Sequence, residues 1–153
     1  MSQHITLPVI GLREGLLFPQ VAMPVPIGRK PSVSAVERAM KGDHQVLVVA
    51  QRRAGDEPTE DNLHDVGVMA HVDSVRRPQR GMHALLRGVE RVRVVRFRKD
   101  GAELLAECMP LPDVQPLEPD GPLFSALFKE MQQRALELAR KRQAPSAIID
   151  HLE

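Results

Sequence analysis

Short apolar runs, each ended by glycine, proline or a polar turn, occupy the first two-thirds of the chain. Runs of this length and composition are typical of β-strands. The pattern predicts apolar strand segments at Leu7–Ile10 and Leu16–Phe18, a proline-containing strand around Val25, and a continuous β-branched strand, covered on both faces, at Gln45–Arg52. Since proline cannot donate to a sheet, the strand that contains Pro24 and Pro26 is expected at an edge or paired on one side only.

Alternation of apolar and polar residues predicts two antiparallel hairpins farther along the chain. In the first hairpin the strand VGVMAHVDSVRRP alternates, the chain turns at PQRG, and MHALLRG returns antiparallel. One face of the first strand is predicted to hold Val66, Val68, Ala70, Val72 and Ser74, and the other face Gly67, Met69, His71, Asp73 and Val75. We expect His71 and His83 to face each other across this hairpin. In ERVRVVRFRKDGAELLAECMPL, KDG marks the second turn. Before this turn the apolar positions change parity, from Val92 and Val94 to Val95 and Phe97. This change predicts a β-bulge near Val94–Val95.

Helical spacing of apolar residues occurs after the first strands and again near the end. The segment PSVSAVERAMKGD repeats Val33, Val36, Ala39 and Met40 at this spacing and predicts a short helix closed by Gly42. The polar segment RAGDEPTEDNLHD is expected to form a mobile loop. Later, LFSALFKEMQQRALELARKRQ predicts an amphipathic helix whose apolar face holds Phe124, Leu127, Phe128, Met131, Ala135 and Leu138. The final APSAIIDHLE predicts a second helix with Pro145 at its first position.

Together these elements predict an α+β fold. We expect a curled antiparallel sheet or pseudo-barrel of about six or seven strands with one short helix, followed by a C-terminal helical arm. The predicted division is a β-rich domain over residues 1–110, a semi-rigid proline-rich linker over 111–122 and a helical subdomain over 123–153. Because the last helix stops in the middle of its apolar pattern, we expect this subdomain to be truncated and the chain to be a fragment.

Composition excludes several classes of protein. The chain has 153 residues, 42% of them apolar, which is enough for a core without disulfides or metal. Lys and Arg number 21 against 20 Asp and Glu, so no global charge indicates a nucleic-acid partner. The single cysteine, the lack of a signal peptide and the lack of a membrane-spanning run together predict a cytoplasmic protein.

The sequence contains no arrangement typical of catalysis or metal binding. It lacks the phosphate-binding G-x-x-x-x-G-K-[ST] and the nucleophile motif G-x-S-x-G, and its six histidines have no paired metal-ligand spacing. Cys108 lies in the apolar run LLAECMP with no basic neighbour, so we expect a buried, inert thiol. We therefore predict no catalytic, cofactor or metal site in this chain.

Arginines are concentrated between residues 76 and 99, with Glu90 as the only acid in that span. Two interpretations stay open. The arginines could form a solvated sheet face whose acids come from neighbours such as Glu103 and Glu107. Alternatively they could form an electrostatic surface for an acidic polypeptide or for nucleic acid. The candidate charge surface consists of Arg76, Arg77, Arg80, Arg91 and Arg93.

Several of these segments, in this order and spacing, resemble one family. They are LPVIGLREGLLFPQVAMPVPIGR, PSVSAVERAM, VLVVAQR, DVGVMAHV and LLRGVERVRV. From about Leu7 to about Pro110 the chain resembles the N-terminal LON domain of ATP-dependent Lon proteases. The chain departs from the family pattern at Gly11, at Glu14-Gly15 and at Pro26. The resemblance therefore assigns no individual substrate contacts to this chain.

The resemblance implies a substrate-recognition and assembly domain that is not itself catalytic. The implied parent is a cytoplasmic, hexameric, ATP-dependent serine protease that degrades misfolded and regulatory proteins. It would bind ATP and Mg in an ATPase module outside this fragment. The implied partners are unfolded or degron-bearing proteins and the other subunits of a homo-hexamer, with no membrane partner. Alternatives that stay open are a free-standing LON-domain adaptor or regulator and a nucleic-acid-binding module that uses the arginine face.

A site hypothesis follows from the apolar, proline-interrupted opening. An exposed apolar surface can bind unfolded segments by burying their side chains, and flexible Met suits many partners. The hypothetical surface for polypeptide consists of Phe18, Pro19, Met23, Val25 and Met82. The competing interpretation is that Phe18 and Met23 only fill the core.

Overall fold

Proline and glycine positions divide the apolar runs into six strands, as the sequence predicts. The computed structural model describes residues 3–152 and groups them into two units, one ending at Pro112 and one beginning at Asp113. The first unit contains, in chain order, β1 (Ile5–Leu12), β2 (Ala22–Ile27), α1 (Lys30–Lys41), β3 (Gln45–Ala50), a 3-10 helix (Glu60–Asn62), β4 (Val66–Arg76), β5 (Met82–Asp100) and β6 (Glu103–Pro110). The second unit contains α2 (Pro122–Lys141) and α3 (Ser146–Leu152).

The six strands form one sheet that closes on itself. The strand order is β2-β5-β4-β3-β1-β6, and β5 also pairs with β6. The 19-residue β5 makes this possible, because β2 pairs with its first part and β6 with its last. Only β1 and β3 run parallel. The strand β2 pairs with β5 alone and is therefore the edge strand that the two prolines predict.

Irregular positions in β4 and β5 set which side chains face the core. Val95 has no partner between Val94, opposite Cys108, and Arg96, opposite Glu107, so the predicted bulge is confirmed. A second bulge, in β4, leaves Asp73 without a partner on β5. The predicted alternation of the two faces of β4 is therefore wrong beyond Val72, because the bulge at Asp73 reverses which side chains face the core. Val75, rather than Ser74, packs against the same core as Val72.

The core has two parts that share β3. Val46 and Val48 pack into a cluster that also contains Ile10, Leu12 and the buried face of α1. Leu47 packs with Val49 into a second cluster with β6 and the last part of β5. Both faces of β3 are therefore buried, as its continuous β-branched run predicts.

Helix α1 covers the first core cluster. Pro31 lies in its first turn, where the missing N–H costs nothing, and Gly42 follows its last residue. Val36 and Ala39 are buried and Val33 packs against the cluster, whereas Met40 is exposed. The apolar stripe is therefore one position narrower than predicted.

Three local expectations are wrong. Leu16–Phe18 is not a strand and lies in the loop between β1 and β2. The segment predicted to be a mobile loop contains the 3-10 helix and a buried Asn62, whose side chain bonds the backbone of Arg53 and of Glu57 at 2.9–3.0 Å. His71 and His83 are not opposite each other. The partners of His71 are Gln45 and Arg87, and those of His83 are Pro26 and Arg76.

In the second unit, α2 and α3 pack together through small and half-buried residues. Ala139 is buried, and the Gln132 side chain donates to the Leu152 carbonyl at 2.7 Å. Of the predicted apolar face, Ala135 is half-buried and the other members are exposed: Phe124, Leu127, Phe128, Met131 and Leu138. No helix within residues 3–152 combines the length and the apolar character needed to cross a membrane.

Candidate functional site

The loop over residues 13–21 is held against β5 by a glycine. The Gly88 N–H donates to the Val21 carbonyl at 2.8 Å, and the Gln20 N–H donates to the Gly88 carbonyl at 3.0 Å. A Cβ at position 88 would lie 2.2 Å from the carbonyl oxygen of Phe18, so only glycine allows this approach. The conformation of the loop is thus fixed by a residue 70 positions away from Phe18.

This loop buries one of its large apolar residues and exposes three. Leu17 is 6% exposed and belongs to the first core cluster. Leu16, Phe18 and Val21 are 58%, 59% and 45% exposed. Because large apolar side chains grouped on a surface commonly mark a binding site, the loop is the first candidate for one.

A small apolar cleft lies beneath the loop, and we call it the Phe18 cleft. Its volume is about 150 Å³. It is lined by Leu12, Leu16, Leu17, Phe18, Pro19, Val48, Ala50, Val66, Gly67, Val68 and Arg91. A cavity of roughly 150 Å³ lined by such side chains can hold a benzene ring. The cleft therefore has room for one aromatic or branched aliphatic side chain, with a single cation at its rim.

The five residues of the hypothetical polypeptide surface do not lie together. Phe18 and Pro19 line the Phe18 cleft, whereas Met23 and Val25 line a separate groove of about 420 Å³ between β1 and β2. Met82 lines a third depression, beside α1. Val25 and Met82 are only 4% and 6% exposed because they lie on the core face of their strands, so neither presents its side chain as the hypothesis requires.

Sequence reasoning missed other residues of the Phe18 cleft. The cleft also contains Leu16, for which the sequence predicts a strand, and Val66, which the sequence places on one face of an alternating strand. The exposure of these residues was not visible in the sequence, since apolar residues in an apolar run are ordinarily buried. The loop that carries Leu16 turns at Gln20, whose φ is 66°.

Arg29 ties the end of β1 to the segments beside it. Its guanidinium donates to the Gly11 carbonyl at 2.6 Å and to the Gln51 side-chain oxygen. Gln51 in turn donates to the carbonyl of Asp56 at 2.8 Å. Burial lowers the pKa of Arg29, and the nearby charge of Arg13 lowers it further. We assign Arg29 a structural role, because its contacts hold in place the strand end from which the 13–21 loop departs.

The candidate charge surface also divides. Arg76 and Arg77 line an open cleft of about 890 Å³ next to the β4–β5 turn, which itself carries Arg80. Arg91 lies instead at the Phe18 cleft, and Arg93 approaches Asp65 at 3.7 Å. The five arginines therefore do not form one surface.

Carboxylates neutralise other arginines of this region. Arg96 bonds Glu107 at 2.6 Å and lowers the pKa of that carboxyl group, as the interpretation of a solvated face expects. Glu103 bonds Arg38 of α1 instead of an arginine of β5. The pKa of Asp73 is lowered by hydrogen bonds from His71 and then from Arg87.

Cys108 is buried as predicted. Its side chain is fully inaccessible, and burial raises the pKa of the thiol to about 12. Within the part of the chain that the structure describes, no group of three or more His, Cys, Asp or Glu residues could hold a metal ion. The candidate site is therefore a binding surface, and its chemistry is that of apolar contact.

Comparison with known proteins identifies the family. The family model for the ATP-dependent protease La (LON) substrate-binding domain matches residues 6–151. Lon protease 1 of Sorangium cellulosum is 36% identical over 154 residues, which cover 97% of this chain and 19% of that protein. The Lon protease of Vibrio parahaemolyticus is 33% identical over 129 residues, which cover 82% of this chain and 16% of that protein.

Solved structures share the fold. The N-terminal domain of the Mycobacterium avium complex Lon protease matches with a TM-score of 0.77 at 22% identity, covering 97% of this chain and 74% of that chain. A Lon N-terminal domain protein from Xanthomonas campestris matches with a TM-score of 0.59 at 18% identity, covering 88% and 75%. At these identities the likeness concerns the fold alone.

The chain belongs to the family of LON substrate-binding domains. The family suggested by the sequence motifs and the predicted α+β class are thereby confirmed. The matched family model describes a substrate-binding domain, and the chain spans 19% of the length of the Sorangium relative.

Proposed function

We propose that the Phe18 cleft binds apolar side chains of unfolded protein substrates. The observation that carries the proposal is an exposed Phe18 above an apolar cleft of about 150 Å³. Burial of apolar surface contributes roughly 25 cal/mol per Å² whatever the sequence around it. A cleft of this kind therefore suits a domain that must accept many different polypeptides.

The edge strand β2 supports binding through side chains rather than through the backbone. Because Val21 accepts a hydrogen bond from Gly88, the alternation of an antiparallel pair directs the backbone groups of Met23 and Val25 towards β5. The backbone groups of Pro24 and Pro26 then point away from β5, towards the open edge of the sheet, where each proline offers a carbonyl but no N–H. An incoming strand could not complete a ladder with this edge. Substrate segments would thus be held by their side chains.

We further propose that the domain acts within an ATP-dependent serine protease that degrades misfolded and regulatory proteins. Support comes from relatives named Lon protease, of which this chain spans about a fifth. In that parent, ATP and Mg would bind an ATPase module, a Ser–Lys module would cleave, and the subunits would form a cytoplasmic homo-hexamer. Each of these statements extends beyond the described residues.

The test measures binding of an unfolded, basic polypeptide. Reduced, carbamidomethylated ribonuclease A is a suitable probe, with fluorescence anisotropy as the measurement. We expect Phe18→Ser to weaken binding about fivefold, which corresponds to roughly 1 kcal/mol of lost apolar contact. The matched control is Val95→Ser, since Val95 is 49% exposed at a bulge and does not line the cleft. Equal affinities for the two variants would contradict the proposal.

A further inference from the structure

The outward surface of the β2–β5–β4 segment carries a second feature. Cross-strand partners there form two rows, Pro24–Leu85–Ser74 and Pro26–His83–Arg76. These side chains point away from the core, because their neighbours on the same strands belong to the first core cluster: Val25, Ile27, Ala84, Met82 and Val75. We call this surface the hairpin face.

The hairpin face combines an apolar centre with a basic border. Leu85 is half-buried between two exposed neighbours, Pro24 and Ser74. Arg76, Arg77 and His83 line the same open cleft of about 890 Å³. None of the residues that line the cleft is acidic.

The cations of this border are available to a ligand. Over residues 3–152, Arg76 has no side-chain hydrogen bond or ion pair. Arg77 pairs with Glu37 at 3.0 Å, but both side chains are about half exposed, and such a pair is readily exchanged for another carboxylate. The nearest acid on β4, Asp73, is already bonded to His71 and Arg87. The local charge is therefore positive although the chain as a whole is almost neutral.

We propose that the hairpin face binds an acidic segment of polypeptide, with an apolar side chain on Leu85 and Pro24 and carboxylates at Arg76 and Arg77. The partner is polypeptide rather than nucleic acid because the centre of the face is aliphatic, and no Phe, Tyr or Trp on which bases could stack lines the cleft. The inference rests on the proposed function, since it names a class of segment that such a domain would accept.

The experiment uses three labelled peptides of about twelve residues and a single-stranded oligothymidine. The first peptide contains Glu and Leu, the second has Gln for every Glu, and the third keeps Glu but has Ser for every Leu. We expect the first to bind at least about fivefold more tightly than the other two and to lose affinity as salt rises. Tighter binding of the oligothymidine, or equal binding of the three peptides, would overturn the proposal.

Matched variants locate the site. Arg76→Gln with Arg77→Gln should weaken binding of the first peptide about tenfold. Arg98→Gln with Lys99→Gln removes the same charge from an exposed part of β5 outside the cleft and should leave binding unchanged. Equal losses in the two double variants would overturn the assignment to the hairpin face. Failure of the Phe18 proposal is separately visible, because it is read with the basic ribonuclease probe and the Phe18→Ser variant.

Discussion

Two parts of β5, on either side of Val89, present very different surfaces. In the part from Met82 to Arg87, β5 lies between β2 and β4, and the border of its outward face includes Arg76, which has no ion-pair partner among the described residues. Beyond Glu90, β5 pairs with β6 instead of β2, and Arg96 in this part forms an ion pair with Glu107. The unpaired cation lies on β4, beside the first part of β5, whereas Arg87 of that part is itself paired with Asp73.

The neighbouring strands, rather than the composition of β5, decide this difference. The strand β6 carries Glu103 and Glu107, and the loop before β4 carries Asp65, so cations beyond Val89 have carboxylates within reach. The strand β2 supplies only alanine, methionine, proline, valine and isoleucine. The uncharged β2 thus supplies no carboxylate to the cations near it. The loop over residues 13–21 crosses β5 at Gly88, where one environment changes into the other.

The largest expected effect concerns the part of β5 beyond Val89, where Val94 lies opposite Cys108. Burial leaves this thiol inaccessible and raises its pKa to about 12, so reaction with Ellman's reagent at pH 8 requires unfolding. We expect the rate in the native protein to be at least about a thousandfold below the rate in urea.

The control for this measurement is Cys108→Ala with Val114→Cys. Val114 is 93% exposed, so its thiol should react at nearly the unfolded rate in native buffer. A native rate for Cys108 within tenfold of the unfolded rate would mean that β6 opens locally, and the contrast between the two parts of β5 would then be one of stability as well as of charge.

The next effect concerns Gly88, where the loop over residues 13–21 crosses β5 between its two parts. Gly88→Ala places a Cβ 2.2 Å from the Phe18 carbonyl oxygen, so either the loop or the strand must move. We expect a loss of about 3 kcal/mol in the free energy of unfolding, measured with urea, because overpacking against backbone is costly. Gly55→Ala, where no atom lies within 4 Å of the added carbon, should change stability by less than about 0.5 kcal/mol. Similar values for the two variants would show that the loop does not depend on Gly88.

The smallest effect tests the neutralised carboxylate beside the hairpin face. Since hydrogen bonds from His71 and Arg87 lower the pKa of Asp73 below its ordinary 3.8, the folded state gains stability above that pH and loses it as the pH falls. Asp73→Asn should therefore be slightly less stable than the parent at pH 7, and the difference should shrink as the pH falls below 3.8. The released Arg87 should also tighten binding of the acidic peptide.

Asp61→Asn is the control for this charge change, since Asp61 is exposed in the 3-10 helix. It should leave the affinity for the peptide unchanged. If Asp73→Asn behaves like this control, the carboxylate does not restrain Arg87, and the contrast between the two parts of β5 would need another cause.

Much of the fold follows from the sequence because its signals are local. The parity change between Val94 and Phe97 marks a bulge, since the core face must continue. The two prolines of β2 mark an edge for a similarly direct reason. The bulge at Asp73 was missed although Val75 carried the same kind of parity signal, because Ser74 and Val75 could be assigned to either face.

The candidate site was less predictable because it depends on contacts between distant residues. The contact that holds the loop against β5 depends on Gly88, and nothing near Phe18 in the sequence indicates that contact. The same holds for Arg93, whose acid partner Asp65 precedes β4. Patterns along the chain identify elements, whereas exposure and charge pairing are decided where elements meet.

Ring closure has a mechanical consequence for the connection to the second unit. The chain leaves the first unit through β6, which is hydrogen-bonded to β1 on one side and to β5 on the other, and the Leu111 N–H still donates to the Arg91 carbonyl at 2.9 Å. Detaching β6 from its C-terminal end would therefore require breaking hydrogen bonds to two strands instead of one. Detachment of β6 should for this reason cost more than detachment of β2, which pairs with β5 alone among the described strands.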